Sequence, residues 1–313
     1  ERLSQRFGFT HDNPHRALSD AMATRDLFFY LLGIIEKFDR PVLEQVKMFG
    51  AITGTPFSVL VGRILETETF LGLPDVQRPT GVDPKELSRR LRTKITLPAI
   101  EPSKCEERTT SISSAIVDIF ERGGPLGTSL KGFEPRPEQL EMATAVAEAI
   151  ENQENLLVEA GTGVGKSLAY LVPSVLHAIQ TGSRVIVSTN TINLQEQLIH
   201  KDVEITEKAL IEYGKTSGQL RVSQLKGRAN YLCFKRWHNA LLNTEPGVDE
   251  SRMLSKLLVW MQSTKTGDRA ELALGRMTPM FTRYSAQGVS TCPTNEGPCF
   301  LRKARSQANA SNI

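Results

Sequence analysis

Leu156-Leu157-Val158-Glu159-Ala160-Gly161-Thr162-Gly163-Val164-Gly165-Lys166-Ser167 is the stretch on which the fold turns. Leu156–Val158 predicts a short buried strand, and the glycines behind it a tight turn. From Lys166 an apolar segment runs at helical spacing to about Ile179, and Thr181-Gly182 closes it. Arg184-Val185-Ile186-Val187-Ser188 then predicts a second strand. Strand, helix and strand with short connections make a βαβ unit. The expected fold class is α/β, with a parallel sheet and a right-handed crossover.

The turn carries chemistry of its own. A bound triphosphate needs backbone N–H groups pointing inward, which Gly161, Gly163 and Gly165 permit through positive φ and close approach, with Thr162 and Val164 between them. It needs a cation on the β- and γ-phosphates, for which Lys166 is the candidate, and a hydroxyl on Mg²⁺, for which Ser167 is. A helix beginning at the same place adds its positive dipole end. Ala160 stands where the strict phosphate-loop pattern has Gly, a change that a small residue tolerates.

Working outward, Leu140, Ala143, Val146, Ala147 and Ile150 mark an amphipathic helix ahead of the first strand. Residues 1 to about 40 read as helical after a short loop. Asn13 is placed to cap and Pro14 to occupy the first helical position, and Leu18, Met22 and Phe29, with Ala17, Ala21 and Phe28, form an apolar stripe. From 41 to about 130 prolines punctuate the chain and strong periodicity fades, so a linker with short helices is expected. One of these runs from Asp83-Pro84-Lys85-Glu86 to Arg92, its basic face read as a solvated surface.

The totals exclude several classes. At 313 residues the prior is two domains. Lys and Arg number 38 against 35 Asp and Glu, a formal charge of +3, too small for a polybasic coat. No apolar run approaches the ~20 residues of a membrane span. Four Cys are too few for a disulfide scaffold and fit a reducing, cytoplasmic compartment. The chain begins at Glu1 without a visible signal peptide and stops at Ile313, and both ends are expected to be cuts through folded domains.

Phe133-Glu134-Pro135-Arg136-Pro137-Glu138-Gln139, followed by the loop at 160–167, resembles superfamily 2 helicases of the DinG/XPD branch. The resemblance implies a RecA-like domain that binds ATP and Mg²⁺, with Arg136 and Gln139 near the base. Ser188-Thr189-Asn190-Thr191-Ile192-Asn193-Leu194-Gln195-Glu196-Gln197-Leu198 resembles the family's motif Ia, which implies that Thr189, Asn190 and Gln195 lie near single-stranded DNA. Short hydroxyl and amide side chains at a strand end suit phosphate oxygens without reading bases.

Lys226-Gly227-Arg228-Ala229-Asn230-Tyr231-Leu232-Cys233 resembles the start of the family's iron–sulfur domain. Cys233 matches the first cluster ligand, and Cys292 and Cys299 the last two. A [4Fe–4S] cluster wants four thiolates, yet Tyr284–Thr291 holds no Cys, and Cys105 lies ahead of the loop. A three-thiolate cluster with another fourth ligand, a lost cluster and a shifted alignment all stay open. So do buried free thiols and a structural zinc. At the other end, His15-Arg16-Ala17-Leu18-Ser19-Asp20-Ala21 resembles the third motif of DnaQ-like 3′–5′ exonucleases, in which His15 would deprotonate water and Asp20 would hold Mg²⁺.

The expectation is therefore an ATP-dependent DNA helicase fragment acting on single-stranded or branched DNA in repair or replication. Residues 1–40 would be the end of an exonuclease domain, 41–112 a linker, and 113–313 an incomplete first RecA-like domain with an iron–sulfur-type insertion at about 226–305. The Asp-Glu-Ala-His box and the second motor domain would lie elsewhere. The alternatives are a parent that is mainly a nuclease with a regulatory ATPase, and a nucleotide-gated DNA-binding module.

Overall fold

The computed structural model describes residues 7–8, 16–66, 111–214, 220–242, 245–287, 292 and 298–313. The chain divides into two compact units, Glu1–Thr96 with Gly227–Leu301, and Leu97–Lys226 with Arg302–Ile313. In the first, α1 (Ala17–Glu36) precedes α2 (Arg40–Ile52) and α3 (Pro56–Glu66). Val42, Leu43, Val46 and Phe49 recur at helical spacing on α2 and are buried, as are Val61, Ile64 and Leu65 on α3, and the two helices pack together. The stripe expected on α1 stays uncovered among the described residues, with Leu18, Met22, Phe28 and Phe29 exposed. Asn13, Pro14 and the helix expected at 83–92 lie outside the described residues.

The second unit holds α4 (Ile112–Phe120), α5 (Pro125–Ser129), α6 (Pro137–Asn152), α7 (Lys166–Thr181), α8 (Ile192–Gln197) and α9 (Val203–Glu212). Small residues on α6, Ala143 and Ala147, let α7 approach closely and bury Leu168, Ala169, Val172, Val175 and Leu176. Pro173 sits inside α7, removing one ladder donor without ending the helix, which closes at Gly182 in the left-handed conformation. Between α8 and α9 the helix widens into a π turn over Leu198–Asp202.

The expected strands do not form as regular strands: among the described residues the structure is mostly helical, with two isolated antiparallel bridges, Tyr231 to Asp268 and Leu232 to Ser285. A strand exists through its ladder and its covered faces. Leu157 is 98% exposed and Ile186 84% exposed, and no described residue hydrogen-bonds to the backbone of 156–158. The second segment fares differently, because the Val185 N–H donates to the Asn312 carbonyl at 2.8 Å. Ile313 N–H donates to the Arg221 carbonyl at 3.2 Å, and Ser223 N–H to the Ile313 carbonyl at 3.0 Å, the alternation of parallel neighbours.

The first unit resumes with α10 (Phe234–Leu241), α11 (Val248–Met261) and α12 (Thr278–Phe281). Met253, Leu254, Leu257, Leu258 and Met261 give α11 a buried face that meets α2, so residues 40–52 and 248–261 share one core. Gly267 has φ +66, and a side chain there would occupy the position of the Phe300 ring. α13 (Phe300–Asn309) closes the chain before 310–313.

Candidate nucleotide and nucleic-acid site

The loop at 160–166 leads directly into α7. Gly163 and Gly165 take φ of 86° and 87°, conformations that turn successive backbone groups toward one centre. Gly165 is also a point of close approach, since a Cβ there would collide with the carboxamide of Gln139. Gln139 is 3% exposed and donates from Nε2 to the Gly165 carbonyl at 2.9 Å. Arg136, just before α6, donates from Nη1 to the Gly163 carbonyl. Lys166 folds back so that Nζ donates to the carbonyls of Ala160 at 2.7 Å and Gly161 at 2.8 Å. Three cationic or amide donors, expected from separate motifs, thus meet on one loop.

Behind the loop, the Tyr170 hydroxyl has its pKa raised chiefly by burial and further by the negative charge of Asp202, with the Ser167 side chain acting in the opposite direction. Asp202 is buried in the π turn and accepts from Gln197 Nε2 at 3.0 Å.

The segment expected to meet DNA caps and starts α8. Thr191 accepts the Leu194 N–H at 3.2 Å, and Thr189 Oγ1 donates to the Thr191 carbonyl at 3.3 Å. Ser188, Thr189 and Gln195 line a cavity of about 380 Å³ together with Leu171, Val187 and Leu198. Gln195 spends its amide on the Leu225 carbonyl at 3.2 Å. Beside it lies a pair that sequence reasoning missed: Glu196 Oε1 accepts from Lys226 Nζ at 2.6 Å and from Gln224 Nε2 at 3.0 Å, and Oε2 meets His200 Nε2 at 3.1 Å. The hydrogen bond from Lys226 is the main reason the Glu196 carboxyl is held below the ordinary glutamate value. Glu196 and Lys226 stand 30 positions apart, beyond the reach of any local pattern.

The remaining candidates are not brought together. Asp20 lies in the first turn of α1, whereas His15 lies outside the described residues. Cys233 precedes α10 and donates its backbone N–H to the Tyr284 carbonyl at 2.7 Å, Cys292 is exposed, Cys299 is partly buried, and all three are free thiols. Cys105 lies outside the described residues. Among the described residues no three His, Cys, Asp or Glu side chains are gathered to share a metal ion, so the described thiols do not by themselves form a [4Fe–4S] cage. Among the described residues no helix is long and apolar enough to cross a membrane.

The DEAD/DEAH box helicase family matches residues 139–257, from Gln139 across the loop, α8 and Lys226. "ATP-dependent DNA helicase YoaA" of Haemophilus influenzae is 41% identical over 200 residues, 62% of this chain and 29% of that protein. "3'-5' exonuclease DinG" of Bacillus subtilis is 30% identical over 274 residues, 87% of this chain and 27% of that protein. "ATP-dependent helicase DinG" of Mycobacterium tuberculosis is 34% identical over 222 residues, 65% of this chain and 32% of that protein. The chain spans about a third or less of the length of these relatives. The chain thus carries a DEAD/DEAH box helicase match over 139–257 and is similar to relatives of the DinG and YoaA type.

Proposed function

We propose that the chain is the nucleotide-binding part of an ATP-dependent DNA helicase that couples ATP hydrolysis to movement along single-stranded DNA. The observation that carries the proposal is the convergence of Arg136, Gln139 and Lys166 on the glycine loop at the start of α7. Lys166 would leave the Ala160 and Gly161 carbonyls for the β- and γ-phosphates, while the backbone N–H groups of Gly161–Gly165 and the start of α7 receive the remaining charge. Ser167 would hold Mg²⁺, which when bound neutralises charge on the phosphoryl group in transfer. Arg136 and Gln139 would orient the base end of the nucleotide. Thr189 and Asn190 would meet DNA phosphates, with Gln195 steadying the helix behind them.

A RecA-like parallel sheet fits the pairing of 185, 221–223 and 312–313. The proposed organisation is the end of an exonuclease domain over 1–40, a linker to 112 and the motor domain from 113, with an insertion at about 226–305. A cytoplasmic location agrees with the four cysteines. A second reading, a parent that is mainly a 3′–5′ exonuclease, is favoured by one observation. The match to the relative named an exonuclease extends over 87% of this chain, against 62–65% for those named helicases.

The test is Lys166→Ala in the complete enzyme. A single cation at the transferring phosphate cannot be replaced by loop backbone, so ATP hydrolysis and unwinding are expected to fall about 100-fold or more while DNA binding is kept. Wild-type hydrolysis by this variant would overturn the assignment.

A further inference from the structure

Helix α8 is fastened along one side to the extended segment 224–226. Gln195 donates to the Leu225 carbonyl, Gln224 donates to Glu196, and Lys226 forms an ion pair with Glu196 at 2.6 Å. The Lys226 side chain is only 2% exposed, whereas that of Glu196 is 36% exposed. A lysine withdrawn this far from water needs a fixed anionic partner, and a carboxylate receiving two donors on one oxygen has little freedom to turn. Lys226 is the last residue of its unit before the chain passes into the other at Gly227. At the N-terminal end of α8, four residues before Gln195, Thr191 caps the helix by accepting the Leu194 N–H and fixes the Thr189–Thr191 turn.

We propose that the Glu196–Lys226 pair is a positioning device for the DNA-contacting turn: it holds α8 so that Thr189 and Asn190 present their donors to the phosphates of single-stranded DNA. The inference rests on the helicase reading above and adds to it two residues that touch neither nucleotide nor DNA. Their effect is on where the contacts stand, so it belongs to DNA affinity and not to the phosphoryl chemistry at Lys166.

The pair is tested in the complete enzyme with ATP hydrolysis measured alone and against an oligo(dT) titration. Lys226→Met leaves Glu196 able to rehydrate, since that side chain is already partly exposed, and the variant is expected to fold. It should raise the DNA concentration for half-stimulation about tenfold, the scale of a few mispositioned phosphate contacts, with hydrolysis in the absence of DNA and the KM for ATP kept within about twofold. Lys226→Arg should restore wild-type behaviour, and the exchange Glu196→Lys with Lys226→Glu should restore part of it. Hydrogen exchange at the amides of 192–197 provides a readout free of DNA and ATP, and should quicken in Lys226→Met.

Wild-type DNA dependence in Lys226→Met overturns the proposal, and so does quickened exchange without any change in DNA dependence, which would leave the pair a merely structural contact. A parallel loss of hydrolysis in the absence of DNA would also overturn it. A wild-type enzyme whose hydrolysis ignores DNA would instead overturn the helicase reading, and the pair's role with it.

Discussion

Glu151 offers a clean measurement of what holds the P-loop unit together. Ser111 occupies the position before α4, yet its own side chain makes no cap bond. The cap comes from 40 residues away: the Glu151 carboxylate accepts the Ser111 hydroxyl at 2.9 Å, the Ser113 hydroxyl at 2.5 Å and the Ile112 N–H at 2.5 Å. Removing a cap acceptor costs about 1 kcal/mol. A negative charge at a helix start adds roughly 0.3–1 kcal/mol, held to the low end here because Glu151 is solvent-exposed. Glu151→Ala should therefore lose about 1–1.5 kcal/mol, and with a urea slope of about 2–3 kcal/mol/M its midpoint should fall by about 0.5 M. Glu151→Gln, which keeps an acceptor and loses the charge, should lose less.

The pH dependence has a defined sign. Burial acts to raise the Glu151 pKa, but the hydrogen bonds from the Ser113 and Ser111 side chains and from the backbone of Ile112 and Ser113 outweigh it and hold the group below 4.5. A group depressed on folding contributes fully above its unfolded value and loses that contribution as pH falls through the folded one. The gap between wild type and Glu151→Ala should thus be widest at neutral pH and close as the solution is taken well below pH 4.5. Far-UV circular dichroism follows the helices. Trp237 and Trp260, the chain's two tryptophans, both lie in the other unit, so their fluorescence is an internal control. An unmoved circular dichroism midpoint, a gap insensitive to pH, or an equal shift in tryptophan fluorescence would refute the reasoning.

Two further outcomes are expected. Gly165→Ala must place a side chain in a left-handed conformation, which costs about 1–2 kcal/mol, and must displace the buried Gln139 amide, which costs about 1–3 kcal/mol more. Adding Gln139→Ala should recover the second part, so a double-mutant cycle on nucleotide-bound stability should be clearly non-additive. Asp20→Ala and His15→Ala in the complete enzyme should abolish 3′-end digestion in Mg²⁺ or Mn²⁺ while leaving ATP hydrolysis intact, and undiminished digestion in both would remove the exonuclease reading.

What was legible in the sequence was whatever neighbouring residues determine among themselves. The periodic run Leu140–Ile150 and the stop at Thr181-Gly182 correspond to α6 and the end of α7, because helical spacing and a left-handed glycine act within a few residues. The strands at 156–158 and 184–188 were not so determined, since a strand depends on partners remote in sequence. For the same reason the prolines and weak periodicity of 41–66 point to a linker with short helices, whereas the buried faces of α2 and α3 show only once α11 is alongside α2. At the site, loop residues contiguous in sequence could be singled out. Glu196 with Lys226, and Tyr170 with Asp202, could not, because a polar side chain on a helix looks solvated until the segment that buries it is known.

The resting glycine loop has a thermodynamic consequence for any guest it receives. Its carbonyls at Ala160, Gly161, Gly163 and Gly165 already hold Lys166, Arg136 and Gln139. Arrival of a phosphate chain is then an exchange in which internal partners must be surrendered before external ones are gained. Contacts tallied in a filled site would overstate the affinity by the cost of releasing the Lys166 ammonium from the Ala160 and Gly161 carbonyls, a cost set by the host.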